Sequence, residues 1–288
     1  MPNIRDIKRR IRSVQSTAKI TKAMELVAAS KMRRAQQRAL AGRPYAERLS
    51  WVLADIAETL PQMDPDTLHP LLQRREVQTI GIIHITPNRG LCGGLPTNLN
   101  RSAAAHTIDA GVPAQLVAVG RKGRDFFRRT DVSLRAEFTE LSDYPEYLDI
   151  LPIARVVIDD YLAGEVDQVF LSYAFFVNTM KQDPKVSQLL PIEPPEEAAT
   201  QAVDYIYEPN RETVLAELLP RYVEMQIYEA ILEGLASEQS ARMVAMRTAT
   251  EAADEMIEVL TLTYNKARQE QITKDLLDIV GGAEGLNV

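Results

Sequence analysis

The 288-residue sequence holds one cysteine, one tryptophan and three histidines. A single Cys excludes an intrachain disulfide framework and a Cys-rich zinc module. No apolar run approaches the ~20 residues of a membrane-spanning helix. The opening MPNIRDIKRRIRSV has no apolar core of a secretory signal, so no secretory signal or transit peptide is expected. Glycine and proline are scarce toward both ends. Residues 3–60 contain only Gly42 and Pro44, and residues 221–280 contain Gly234 and no Pro. The first 44 residues carry no aromatic side chain. An apolar fraction of 45% with 25% charged residues excludes wholesale disorder and fits an ordinary globular protein.

Charge is unevenly spread. The net −7 comprises +10 over residues 1–50, −10 over 51–210 and −7 over 211–288. A basic first segment and an acidic last one can pair with each other or steer partners. Alone, the basic segment would suit nucleic acid or an anionic membrane. The acidic remainder and the missing aromatics speak against nucleic acid.

The ends read as long helices. Ile4, Ile7, Ile11, Val14 and Ala18 step by 3, 4, 3, 4, the period of a coiled-coil seam. The stripe is expected to loosen through Met24, Val27 and Ala28, and Gly42-Arg-Pro44 to bend or interrupt the helix. Met246, Ala249, Ala253, Met256, Leu260, Tyr264 and Ala267 form a second stripe. Asn210 is a candidate N-cap for a short helix before Pro220, and a kink or break is expected at Pro220.

The middle alternates. Strands are expected at Val77–Thr86, Gln115–Val119, Val166–Phe176 and Val186–Pro191, with helices near 95–109, 121–129 and 145–163. The segment Pro184–Ala199 reads as loop or edge. Such alternation implies a parallel sheet covered on both faces. The expected fold class is α/β. A long antiparallel two-helix coiled coil from the N- and C-termini joins a central Rossmann-like parallel α/β domain. The expected divisions are 1–60, 61–209 and 210–288.

A search for chemistry finds little. There is neither G-x-G-x-x-G nor G-x-x-x-x-G-K-[ST]. Gly90-Leu-Cys-Gly-Gly94 follows a strand and opens a helix, but a plain tight turn outweighs a phosphate site. His69, His84 and His106 are scattered, with no zinc spacing. Cys92 has no nearby His, and the methionines at helical spacing read as core. No active site is recognisable, and no catalytic residue, cofactor or metal is expected.

Some segments are more specific. Ile20-Thr-Lys-Ala-Met-Glu-Leu-Val-Ala-Ala-Ser-Lys-Met32 stands near the start. Leu235-Ala-Ser-Glu-Gln-Ser-Ala-Arg-Met-Val-Ala-Met246 and Tyr264-Asn-Lys-Ala-Arg-Gln-Glu-Gln-Ile-Thr273 stand near the end. These closely resemble the two helices of the gamma subunit of F-type ATP synthases. Arg89-Gly-Leu-Cys-Gly-Gly-Leu95 resembles that family's central-domain motif. The resemblance runs the length of the chain, in order.

It implies a central rotor shaft, a non-catalytic subunit coupling proton-driven rotation of the membrane ring to ATP synthesis, and the reverse on hydrolysis. The implied partners are the alpha3beta3 ring, the epsilon subunit and the c-subunit ring. Neither nucleic acid nor direct membrane insertion is implied. The implied place is peripheral, at the cytoplasmic face of a bacterial plasma membrane. Met24 matches a shaft methionine facing an acidic lever loop of beta. Lys22, with Arg9, Arg10, Lys19, Lys31, Arg33 and Arg34, would suit that loop. Arg242 matches an arginine supporting coupling. Arg268, Gln269 and Thr273 match upper-shaft residues meeting the beta catch loop. Tyr205, Tyr207 and Glu208 match foot residues on the c ring or epsilon. The small, nearly neutral end from Ile279 onward matches a tip seated in an apolar bearing.

Departures are local. Asn88 replaces a usual Asp, Pro96 a common Asn, and Thr250-Glu-Ala-Ala253 a Thr-Asp-Asn-Ala run. The cysteine-bearing insert of chloroplast members is absent. The competing expectation is a nucleotide-using α/β enzyme with a coiled-coil oligomerisation stalk.

Overall fold

A computed structural model describes residues 4–57, 69–193, 208 and 211–286. In chain order its elements are α1 (Ile4–Ala57), a 3-10 turn (Pro70–Leu72), β1 (Ile80–Ile85), α2 (Leu95–Ala110), β2 (Ala114–Val119) and α3 (Arg121–Phe127). They continue with β3 (Ser133–Phe138), α4 (Tyr147–Leu162), β4 (Gln168–Phe176), β5 (Gln182–Leu190) and α5 (Arg211–Leu286). The chain divides into two compact units, Met1–Val27 with Met243–Val288, and Ala28–Arg242.

The larger unit is built on a five-stranded sheet of order β3-β2-β1-β4-β5. The first four strands are parallel; β5 runs antiparallel to β4. The all-parallel expectation therefore fails at β5. The link Val177–Lys181 is too short for a crossover, and a short link returns a strand antiparallel. The edge strand β3 was not anticipated, so the strand expected third is β4. Its alternation of exposed and half-buried positions carries Arg135 and Glu137 outward, which dilutes its apolar signal. The α/β class and the covering of both faces hold. β1 is buried throughout. Ile83 and Ile85 pack with Ile150, Ile153 and Val157 of α4 and with Leu215, Leu219, Val223 and Ile227 of α5. Ile80 and Ile82 pack with Ala103 of α2 and Phe127 of α3.

Neither helix is broken at its proline. α1 runs continuously through Pro44 and α5 through Pro220. Proline removes one intrahelical hydrogen bond. Around Pro220 that loss is offset by burial of Leu215, Leu219 and Val223 in the core. Asn210 lies outside the described residues.

One glycine is mandatory. Gly120 has φ +105°, and a Cβ there would stand 1.9 Å from the Thr86 carbonyl oxygen. The chain must pass this close because the Gly120 N–H bonds to Phe138 O while the Thr86 N–H bonds to Val119 O, closing the sheet's end before α3.

In the smaller unit, Ile7, Ala18, Thr21 and Glu25 of α1 are buried and Ile4, Ile11 and Val14 half-buried. The 3, 4 stepping thus continues without loosening, on polar residues. Val27, expected on the stripe, is exposed, and Met24 is half-buried beside it. On α5 the covered positions include Met243, Met246, Ala249, Thr250, Ala253, Ile257, Leu260, Tyr264 and Ala267. Ile257 takes the place expected for Met256, which is 45% exposed. Two bonds fix direction. Thr21 Oγ1 lies 2.7 Å from Thr250 Oγ1, and Arg247 Nε donates to Glu25 Oε1 at 3.0 Å. Higher numbers on one helix meet lower numbers on the other, so these segments run antiparallel.

Candidate functional site

The polar groups that could suggest catalysis are structural. His84 is fully buried, with Nδ1 3.0 Å from Ser172 Oγ and Nε2 2.9 Å from Asn100 Oδ1. An amide oxygen only accepts, so Nε2 carries the proton and Nδ1 accepts from Ser172. Burial pushes the imidazole pKa down to about 4 despite the Asn100 bond. This histidine stays neutral and ties β1 to β4 and α2. His106 packs edge-on against Phe170. His69 accepts from Leu71 N–H at the 3-10 turn. Among the described residues no cluster of three His, Cys, Asp or Glu could hold a metal.

The Gly90–Gly94 turn is used internally. Leu91 and Gly93 adopt positive φ, and the Leu95 and Asn98 amides bond to Cys92 O and Gly94 O. Pro96, in the first turn of α2, has no N–H to offer an anion. Asn88 accepts from Arg121 N–H at the start of α3. Both departures therefore sit well at helix starts. Cys92 is buried, its Sγ 3.7 Å from Arg89 O, and burial raises its thiol pKa. That environment disfavours a reactive thiolate.

Arg242 is nearly covered, at 11% exposure. It donates to Gly90 O at 3.2 Å and to Glu238 Oε1 at 2.7 Å. In this unit it therefore fastens α5 to the glycine-rich turn. Burial raises the Glu238 pKa, and Arg242 opposes that rise.

Lys22 and Met24 precede Glu25 on α1. Lys22 Nζ donates to Glu25 Oε2 at 2.9 Å. The Lys22 bond, opposed by desolvation and joined by Arg247, holds the Glu25 carboxyl below its usual range. Arg268, Gln269 and Thr273 are exposed on α5 beyond Ala267, the last half-buried position. The run beyond exposes Ile272, Leu276, Leu277, Ile279 and Val280. Glu208 is exposed at a bend, while Tyr205 and Tyr207 lie outside the described residues. Sequence reasoning missed Thr21, Glu25 and Thr250. The signal was present as unbroken 3, 4 spacing, but a search for apolar residues passes over it.

Residues 3–286 match the family model described as ATP synthase. The ATP synthase gamma chain of Dehalococcoides mccartyi strain CBDB1 is 59% identical over 286 residues, 99% of this chain and 100% of that one. That of Roseiflexus sp. strain RS-1 is 50% identical over 289 residues, 99% of both chains. Among solved structures, a chain of the central stalk and c-ring of the Tetrahymena thermophila mitochondrial ATP synthase aligns with TM-score 0.61 and 25% identity. That match covers 80% of this chain and 99% of that one. A rotor chain of the Euglena gracilis enzyme aligns with TM-score 0.62 and 21% identity, covering 93% and 98%. The chain belongs to the ATP synthase gamma-chain family, the central-stalk subunit of that enzyme.

Proposed function

We propose that this chain turns as a rigid, non-catalytic shaft inside an alpha3beta3 ring, with its body on the c ring and epsilon at the cytoplasmic face of a bacterial plasma membrane. Residues 1–60 and 210–288 form the antiparallel coiled coil, and 61–209 the body. Rotation driven by proton flow presents a different side of an asymmetric shaft to each beta subunit, favouring a different conformation in each. Met24 and Lys22 face the acidic lever, and Arg268, Gln269 and Thr273 face the catch. Arg242 serves coupling by fixing the shaft to the Gly90 turn, and Glu208 with Tyr205 and Tyr207 meets the foot partners.

The observation that carries this reading is the antiparallel pairing at Thr21–Thr250 and Glu25–Arg247, followed by an exposed apolar run on α5. No helix among the described residues is long and apolar enough to cross a membrane. The test is co-expression with alpha and beta subunits. A complex of three alpha, three beta and one copy of this chain, with ATP turnover absent from the chain alone, is expected. ATP turnover by the purified chain would favour the nucleotide-enzyme alternative and overturn the shaft.

A further inference from the structure

Within the larger unit, the segment between β3 and α4 touches α1, and Tyr147, the first residue of α4, touches α5. Lys31 of α1 donates to Asp143 Oδ2 at 2.6 Å. Arg34 donates to the Tyr144 hydroxyl at 3.2 Å, and Arg38 to Pro145 O at 3.4 Å. The Arg34 and Arg38 guanidinium carbons lie 5.5 and 5.4 Å from the Tyr144 ring centre. Residues 31, 34 and 38 share one face of a helix. On the other side, the Tyr147 hydroxyl donates to Glu224 of α5, and its ring meets Tyr228 edge-on at 6.1 Å. Two of the cations that the resemblance offered to an outside acidic loop, Lys31 and Arg34, are thus in contact with the chain's own body, as is Arg38.

The segment is braced from behind. Ser142 Oγ accepts from Tyr144 N–H. Glu146 and Asp149 form a reciprocal capping box at the start of α4. α4 is then sunk in the core through Ile150, Ile153, Ala154 and Val157. Close-packed interiors transmit strain. Force on α1 or α5 therefore has a short path through residues 143–147 into α4 and the sheet.

We infer that Asp143–Tyr147 is the grip by which the body holds both helices against twist, with Tyr144 the main positioning residue on α1; this rests on the shaft reading above. Without such a grip, a turning body would slip elastically against α1 before the far end moved.

The test uses the assembled enzyme, held by its beta subunits, with a rotation probe on a cysteine introduced at the exposed Ile108. The native Cys92 is buried and does not compete for the label. The readout is the angular variance of the probe at each dwell. Tyr144→Ala removes the ring and hydroxyl contacts together, and roughly doubles the variance if contacts share the load. ATP turnover at saturation stays unchanged. Tyr144→Phe and Asp143→Asn, conservative and partly exposed, widen it less. Asp143→Lys widens it, and adding Lys31→Glu restores it, a rescue that general loosening of the fold would not show. If wild-type enzyme rotates and every variant keeps its variance, the grip is overturned while the shaft stands. If wild-type enzyme neither assembles nor rotates, the shaft falls first and the grip with it.

Discussion

Arg247 Nε lies 3.0 Å from Glu25 Oε1, joining two helices whose partners are 222 residues apart in sequence. Glu25 is almost fully covered, whereas both its cations are more than half exposed. Removing both cations by Lys22→Ala with Arg247→Ala leaves a covered carboxylate uncompensated, at a cost of about 1–3 kcal/mol. Chemical unfolding of the assembled complex, compared with the single variants, checks this. The pH dependence follows from the depressed pKa. The contribution is present above the unfolded value of 4.5 and is lost as pH falls through the lower folded value. Glu25→Gln is expected to remove that dependence.

His84 acts in the same direction over a higher pH range. Its folded pKa of about 4 lies below the unfolded 6.5, so the unfolded chain takes up a proton first as pH falls. Stability is expected to decline from pH 6.5 downward, by an upper figure of about 3 kcal/mol near pH 4. The check is the wild-type unfolding free energy at pH 7, 6 and 5, with His84→Gln giving a flatter curve. The His84 imidazole resonances should not titrate between pH 8 and 5.

Gly120→Ala should be severe. Its Cβ would stand 1.9 Å from a backbone carbonyl at φ +105°, where the neighbour cannot turn away. Strain and displacement together are expected to cost about 3 kcal/mol or more. Gly111→Ala is the control. It has φ +66° but open space around it, so about 1 kcal/mol is expected. Thermal melts of both variants test the contrast.

Met24→Lys places a charge beside the proposed lever contact and is expected to lower proton pumping per ATP hydrolysed in the assembled enzyme. Arg268→Ala with Gln269→Ala is expected to weaken catch engagement, read as reduced torque with assembly retained. Normal pumping or normal torque would remove the respective assignment.

The body was readable where strands were continuous and apolar. Ile80–Ile85 is buried on both faces, so every residue carries the signal. The edge strand Ser133–Phe138 was not readable, because Arg135 and Glu137 occupy the outward half of its alternation. The break expected at Pro220 was misplaced, since local propensity cannot see the core that α5 packs into there. The covered stripes of the smaller unit were half legible. Apolar spacing led to Ile4–Ala18, then lost the path where Thr21 and Glu25 replace hydrocarbon. The grip at Tyr144 was illegible, because it depends on contacts more than 100 residues apart in sequence.

The hydroxyl pair Thr21–Thr250 also acts as a gauge. Sliding either helix by one heptad would set Thr21 against Met243 or Ile257 and part Glu25 from Arg247, so the alignment is locked. That alignment brings Ile4 level with Ala267. The part of α5 past Ala267 is therefore of set length, about 28 Å from Ala267 to Leu286. Two small polar side chains in the paired stretch thus decide how far the free end reaches.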